Sequence, residues 1–405
     1  MTEKIPSPLF DSMNAHSATH NTVQHPFPGD YQQAYDFISS YRGSEATFNA
    51  YRREIERLLQ WSAHKIRKSI SDLNRQDIES YIGFCQNPPN EWISTKKCDR
   101  FVLKDGQRVP NSDWRPFVVT VNKNARRSGR EPNIKEYSLS EKALKAVFAI
   151  LSSFYNFLIQ NDYVKHNPVA QIRQKSKFIR SSQHQAPIRR LSELQWSYVL
   201  ETVEKNAADH AETERSLFIL NALFGMYLRI SELAASARWQ PQMGHFSRDS
   251  DGHWWFRTVG KGNKERQIAV SDAMLEALKR YRQYLRLPPL PATGETTPLL
   301  IKQKGKGAIT STRQIRKIVQ HCFDNAVERM TADGLSEDAE QLKTATVHWL
   351  RHTGISEDVK IRPREHVRDD AGHSSSAITD HYIDVELRAR HESGRKKKIK
   401  PESSP

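Results

Sequence analysis

Ala371-Gly372-His373-Ser374-Ser375-Ser376, followed by Asp380-His381-Tyr382-Ile383, places a glycine-led histidine nine residues before a tyrosine. Alone, such a tyrosine is ordinarily a buried or stacked side chain. Upstream, His348-Trp349-Leu350-Arg351-His352-Thr353 has helical character, and His348 and Arg351, three apart, share one helix face. His348 and His352 are also spaced i,i+4, as in a zinc helix. The metalloprotease motif needs glutamate directly after the first histidine, however, and Trp349 stands there, so no metal is expected.

Further upstream, Gly260-Lys261-Gly262-Asn263-Lys264-Glu265-Arg266 puts a glycine-flanked lysine at a hairpin tip. It is not a phosphate-binding loop of the G-x-x-x-x-G-K-[ST] type, and a lysine in a turn is usually just solvated. Tyr227-Leu228-Arg229-Ile230-Ser231-Glu232-Leu233 sets an arginine at a helix junction, with Ser231 placed to cap the helix that follows.

Each segment is weak by itself; their order is informative. Arginine, hairpin lysine, His-x-x-Arg, Gly-His, then tyrosine resembles the catalytic set of the tyrosine recombinase (phage integrase) family, over about residues 187–390. The resemblance implies an active site of Arg229, Lys261, His348, Arg351 and His373, with Tyr382 as nucleophile. Lys264 is the second candidate for the lysine. It implies a mainly α fold with a small antiparallel sheet, made of a helical core-binding domain and a mixed α+β catalytic domain. It also implies a homotetramer on double-stranded DNA recombination sites, acting through a Holliday junction in integration, excision or resolution. Neighbouring subunits would dock through a segment beyond the tyrosine, here Val385–Arg395.

The chemistry of the set is coherent. In-line attack on a phosphodiester builds negative charge on the non-bridging oxygens, which fixed cations stabilise. Arginine donates two bonds from a planar fork and keeps its charge, so Arg229 and Arg351 are expected to clamp the phosphate, with His373 as a further donor. Tyrosine, with an ordinary pKa near ~10, is a poor nucleophile while protonated. Nearby arginines favour its anion, and His348 can accept the proton. A lysine on a mobile hairpin can protonate the leaving 5′-oxygen, the role the family implies for Lys261. The bond energy stays in a 3′-phosphotyrosine, so neither ATP, metal nor another cofactor is expected.

Some features depart from the family pattern. Tyr227 stands where glycine is usual, and Asp369-Asp370-Ala371 stands where leucines are usual. The run Gly354–Arg368 is unusually charged. An insertion at about 88–137 is not a general family feature.

The bulk numbers agree with a DNA-handling protein of two domains. With 405 residues, the chain exceeds what usually grows around one core. Its 62 Lys and Arg against 47 Asp and Glu give a net charge of +15, which points to a polyanionic partner. No apolar run near the ~18 residues of a membrane span is expected, and the first thirty residues lack a signal peptide's apolar core, so no membrane partner and a cytoplasmic, nucleoid-associated location are expected. Three widely spaced cysteines, Cys85, Cys98 and Cys322, fit neither a disulfide framework nor a zinc site.

Along the chain, residues 1–30 read as a disordered tail and 31–172 as the helical DNA-binding domain. Residues 173–190 read as a basic linker, 191–390 as the catalytic domain and 391–405 as a basic tail. Helical pattern runs through Tyr31–Ser40, then Phe48, Tyr51, Ile55, Leu58 and Leu59, then Asp77–Cys85. Arg52, Arg53, Arg57 and Lys65 fall on the polar side of this region. Arg52, Arg53, Lys65, Lys175, Lys264 and Arg266 are the expected DNA contacts. Within the insertion, Phe117–Val121 suits a strand, and the basic stretch Lys123–Arg130 suits a DNA contact or a solvated loop. Capping boxes are expected at Ser138–Glu141 and Ser192–Gln195, with Asn167-Pro168 closing the first domain. Strands are expected at His253–Val259 and Arg266–Val270. Two other readings remain: a non-catalytic DNA-binding protein of the same fold, and a type IB-like topoisomerase.

Overall fold

The computed structural model describes residues 5–19, 23–121, 125–126, 129–175, 190–260, 262–373, 375, 378–379 and 395. Contacts divide the chain into two units, Met1–His184 and Gln185–Pro405. The expected Lys123–Arg130 contact lies largely outside the described residues. So do most of the 173–190 linker and all of the 391–405 tail except Arg395.

In the first unit, α1 (Pro28–Ser39), α2 (Glu45–Trp61), α3 (Arg75–Gln86), α4 (Glu141–Gln160) and α5 (Pro168–Lys175) surround one core. Local chemistry fixes their ends. Asn74 and Asp77 form a reciprocal capping box on α3. α4 begins two residues later than expected: Ser140, not Ser138, caps it by accepting from Ala143 N at 3.2 Å. That start leaves Leu139 just ahead of the cap and Leu144 in the first turn, and both join the core. Asn167-Pro168 does not close the unit but opens α5. Asn167 Oδ1 accepts from Val169 N at 3.0 Å and Ala170 N at 3.1 Å, with proline at the first helical position.

α4 has the length and apolarity of a membrane span, with a mean hydropathy of 1.4, contrary to the sequence reading. Its buried face, from Leu144 through Leu158, is the centre of this core.

The expected disordered tail is a second correction. Leu9 and Phe10 are buried, and their amides donate to the buried carboxylate of Glu56 at 2.6 and 3.2 Å. His16 stacks on Tyr35 at 4.4 Å. Asp30 is fully buried and accepts from Ser69 Oγ, Ile70 N and Tyr163 OH at 2.7 to 2.9 Å. Average polarity hides such a segment, because a few apolar residues and two acceptors anchor it.

The 88–137 insertion carries a hairpin, β2 (Phe101–Lys104) with β3 (Gln107–Pro110), turned through Asp105 and Gly106 at φ 50° and 76°. Positive φ at both central residues is the turn that matches strand twist. β1 (Ile93–Ser94) and β4 (Phe117–Val118) make a short parallel pair, so the expected strand is only two residues long. Arg57 faces inward here, not toward solvent: its guanidinium donates to Pro116 O at 2.9 and 2.7 Å and lies over the Phe117 ring.

In the second unit, α6 (Glu193–Asp209) starts at the expected Ser192–Gln195 capping box. α7 (Glu214–Gly225) is apolar around most of its circumference. It packs against α6, α9 (Asp272–Tyr284), α10 (Thr312–Ala332) and α12 (Val347–Asp358), as a helix lacking a polar face should. Between α7 and α9 come the single-turn helix α8 (Ile230–Leu233) and a three-stranded antiparallel sheet, β5 (Phe246–Arg248), β6 (Trp254–Val259) and β7 (Glu265–Ala269). β5 was not anticipated. Phe246, Phe256 and Ile268 stand opposite one another on the buried face of the sheet. α11 (Ser336–Lys343) and α13 (Arg364–Ala371) complete the unit.

Gly354 decides how closely α12 approaches α7. A Cβ there would sit 2.1 Å from the carbonyl oxygen of Phe224, which no backbone tolerates without moving.

Candidate active site

Arg229 begins at the backbone. Tyr227 takes a left-handed conformation at φ 49°, which turns the chain so that Arg229 sits at the N-cap of α8. The expected cap, Ser231, does not form. Glu232 caps instead, accepting from Arg229 N at 2.6 Å. Fully buried, Glu232 also takes Arg229 Nη1 at 3.2 Å and both Nη atoms of Arg266 at 2.6 and 3.0 Å. One carboxylate therefore holds two guanidinium groups side by side. Sequence reading missed Glu232; its signal was an acid three residues after an arginine, at the start of a helix.

Arg351 on α12 is 3% exposed. Its Nη1 donates to Tyr227 O, and its Nη2 donates to Ala371 O at 2.6 Å. The guanidinium is thus fixed to the backbone carbonyls of two different segments. His348 lies one turn earlier on the same face and is exposed. Partial burial, then the charges of Arg351 and Arg229, hold its pKa below the usual value, so it is a neutral acceptor at neutral pH. His352 meets His348 edge-on at 4.9 Å. Among the described residues, the two imidazoles gather no third metal-ligand side chain.

His373 follows α13 through Gly372, at φ 62°. Its Nδ1 lies 2.9 Å from Thr379 Oγ1. Burial, then Arg351, Arg229 and Arg266, push its pKa down to about 4. Gly372 O lies 3.4 Å from Arg229 Nη2, which joins this loop to the α8 turn.

A Cβ on Gly372 would meet Arg266 Cδ at 2.9 Å, in a backbone region that costs an L-residue ~1–2 kcal/mol. Gly372→Ala should therefore lower thermal stability by about 2 kcal/mol or more and displace His373. Thermal melts and strand cleavage, measured together, check this.

Arg229, His348, Arg351 and His373 line one cleft of about 650 Å³, bordered by the β6–β7 hairpin. Lys264 is exposed at its edge. Lys261, between Gly260 and Gly262 in that hairpin, and Tyr382 lie outside the described residues. Arg266, expected to contact DNA, is instead committed to Glu232 and, through Nε, to Asp370 O at 3.0 Å. In the first unit, Arg52 is mostly buried and donates to Asp11 O and to Asn49 Oδ1 at 2.7 Å. Arg53 is half-exposed beside Glu54 at 2.6 Å, and Lys65 lies near the rings of Phe84 and Trp92. Lys175 falls in α5.

Comparison with known proteins gives the same reading of the second unit. Residues 189–388 match the phage integrase family. The chain is 25% identical to a tyrosine recombinase XerC of Chlorobaculum parvum over 304 residues, 71% of this chain and 78% of that protein. It is 27% identical to a tyrosine recombinase XerC of Pediococcus pentosaceus over 272 residues, 64% of this chain and 76% of that one. In fold it is similar to the XerH site-specific recombinase, solved in a post-cleavage complex with a palindromic difH substrate. That match has a TM-score of 0.57 and 15% identity, over 97% of this chain and 91% of that one. The match over residues 189–388 makes the second unit a phage integrase (tyrosine recombinase) family domain, and the chain is similar to tyrosine recombinases over most of its length.

Proposed function

We propose that this recombinase cuts and rejoins double-stranded DNA at specific sites through a 3′-phosphotyrosine on Tyr382, working as a homotetramer on paired sites. The observation that carries the reading is convergence: Arg229, His348, Arg351 and His373 come from three separate stretches of sequence and line one cleft. The two arginines supply fixed positive charge where the attacked phosphate gains negative charge. His348, neutral and open to the cleft, accepts the tyrosine proton. His373 donates to a non-bridging oxygen. Lys261 protonates the leaving 5′-oxygen, with Lys264 at the cleft edge as the alternative donor. The expected domain limits, with DNA-binding helices before about residue 172 and catalysis in 191–390, complete the proposal, as do phosphate contacts from Arg53, Lys65 and Lys175.

Two circular DNAs of different size, each carrying one copy of the site, give the test. Recombination yields a single joined circle or linked products without added metal or nucleotide. Relaxed circles with no exchange would identify a topoisomerase-like activity instead, and binding without any cut strand would identify a non-catalytic protein. DNA affinity should fall steeply with salt in all three cases, so affinity does not decide among them.

The cleft also sets a pH dependence. Because His348 titrates below its ordinary value of about 6.5, single-turnover cleavage should hold through neutral pH and fall only below about 6.5 as the base becomes protonated. His348→Gln should be slow throughout and lose that acid limb. His373 carries a stability consequence. Its folded pKa, about 4, lies below its unfolded value, so its contribution is present above pH ~6.5 and is lost as the pH falls through about 4. Over that interval, His373→Gln should lose less stability than the native chain in acid titrations followed by circular dichroism.

A further inference from the structure

Three departures from the family pattern, Tyr227, Asp370 and the charged run Gly354–Arg368, meet in the structure. Tyr227 is 1% exposed and packs with Ile355, Val367 and Ala371 in a small cluster apart from the main core. Its hydroxyl donates to Asp358 Oδ2 and accepts from Arg362 Nη1 at 2.9 Å. Arg362 reaches Asp358 through the same nitrogen at 3.2 Å, and Asp370 Oδ2 through Nη2 at 2.6 Å. The other oxygen of Asp370 accepts from Ala269 N at 3.2 Å, on β7. One continuous path therefore runs from the turn before Arg229, over the end of α12, to α13 and the sheet.

We propose that Tyr227, Asp358, Arg362 and Asp370 form a positioning network that sets the Arg229 turn against the Gly372-His373 loop, so that the arginine clamp and His373 face the same phosphate. This inference rests on the function proposed above.

Both ends of the path adjoin the site. Tyr227 is two residues before Arg229, and Asp370 three before His373. Arg351 ties the same two segments from inside, through the carbonyls of Tyr227 and Ala371. The path and Arg351 thus clasp one junction from two directions. A bulky residue at positive φ is an outlier that persists only where its surroundings over-determine it, and the bonds of the Tyr227 hydroxyl and carbonyl do this. Apolar packing would fix the depth of α13. Directional charge-assisted bonds also fix its rotation and register, which a donor aimed at a phosphate requires. Burial, then the Asp358 carboxylate, raises the Tyr227 pKa well above the ordinary range, so the phenol stays a hydrogen-bond donor.

The test uses the full-length protein on a nicked duplex that traps cleavage. It measures the single-turnover rate at saturating enzyme, the DNA affinity, and the titration of His373 by NMR. Tyr227→Phe and Asp370→Asn should each slow cleavage by about 10- to 100-fold at unchanged affinity. The double variant should be little slower than the worse single one, since both act through Arg362. Arg362→Lys should recover part of the rate lost in Arg362→Gln. In the variants His373 should titrate closer to its ordinary value, as the arginines around it move away. That readout does not depend on cleavage, so it tests the network even if the native protein forms no adduct and the proposed function fails. Native cleavage rates in folded Tyr227→Phe and Asp370→Asn, or fully additive losses, or an unchanged His373 titration, would overturn the inference.

Discussion

Tyr382→Phe should abolish strand cleavage, by about 10⁴-fold or more, while DNA affinity stays within about twofold because one hydroxyl contributes little to a phosphate-dominated interface. Removing the nucleophile from a group that acts as a unit leaves only binding and transition-state stabilisation, with nothing to stabilise. Another tyrosine hydroxyl beside the cleft residues cannot take over. Tyr227 is buried, its oxygen is held by Asp358 and Arg362, and its proton is held tightly. Single-turnover cleavage of a nicked duplex, with affinity measured by fluorescence anisotropy, checks both halves of the expectation.

Arg351→Ala should damage catalysis and stability together. The native guanidinium donates to the buried carbonyls of Tyr227 and Ala371, and the proposed function has it contact the phosphate as well. Truncation leaves two carbonyls without donors, at about 1–3 kcal/mol each, and removes transition-state charge stabilisation of about 10²- to 10³-fold. Arg351→Lys separates the two effects. It keeps the charge, but a single ammonium cannot reproduce the planar fork spanning both carbonyls. It should retain much of the thermal stability of the native protein and still cleave about 10²-fold more slowly. Equal loss of rate and stability in both variants would make Arg351 a purely structural residue.

Much of the candidate site was legible because its chemistry is carried by side chains in a fixed order. The order of Arg229, His348, Arg351 and His373 along the chain carries the resemblance to the tyrosine recombinase family, which implies their roles, and the fold brings all four to one cleft. What the sequence hid were the partners. Glu232 looks like any acid in a first helical turn, yet it is buried and holds both Arg229 and Arg266. Arg266 and Arg52 read as DNA contacts, and Arg57 as part of a polar face, because arginine on a polar face usually is exposed. Here their forks are occupied by Glu232, Asp11 O and Pro116 O, bonds between residues 34 to 59 positions apart. Helix periodicity was legible for the same reason that the long-range pairs were not: it is a local property. β5 has only three residues and too short a pattern to recognise. The segment before Asp30 was hidden by its average polarity, since its order depends on distant Glu56, Ser69 and Tyr163.

Mass spectrometry of the trapped protein–DNA complex tests the central claim most directly. After nuclease and protease digestion, the peptide spanning Tyr382 should carry a nucleotide joined through its 3′-phosphate, and the released strand should begin with a free 5′-hydroxyl. A nucleotide on any other residue, or a 5′-phosphate linkage, would contradict the assignment of Tyr382 and of the cleft built around Arg229 and Arg351.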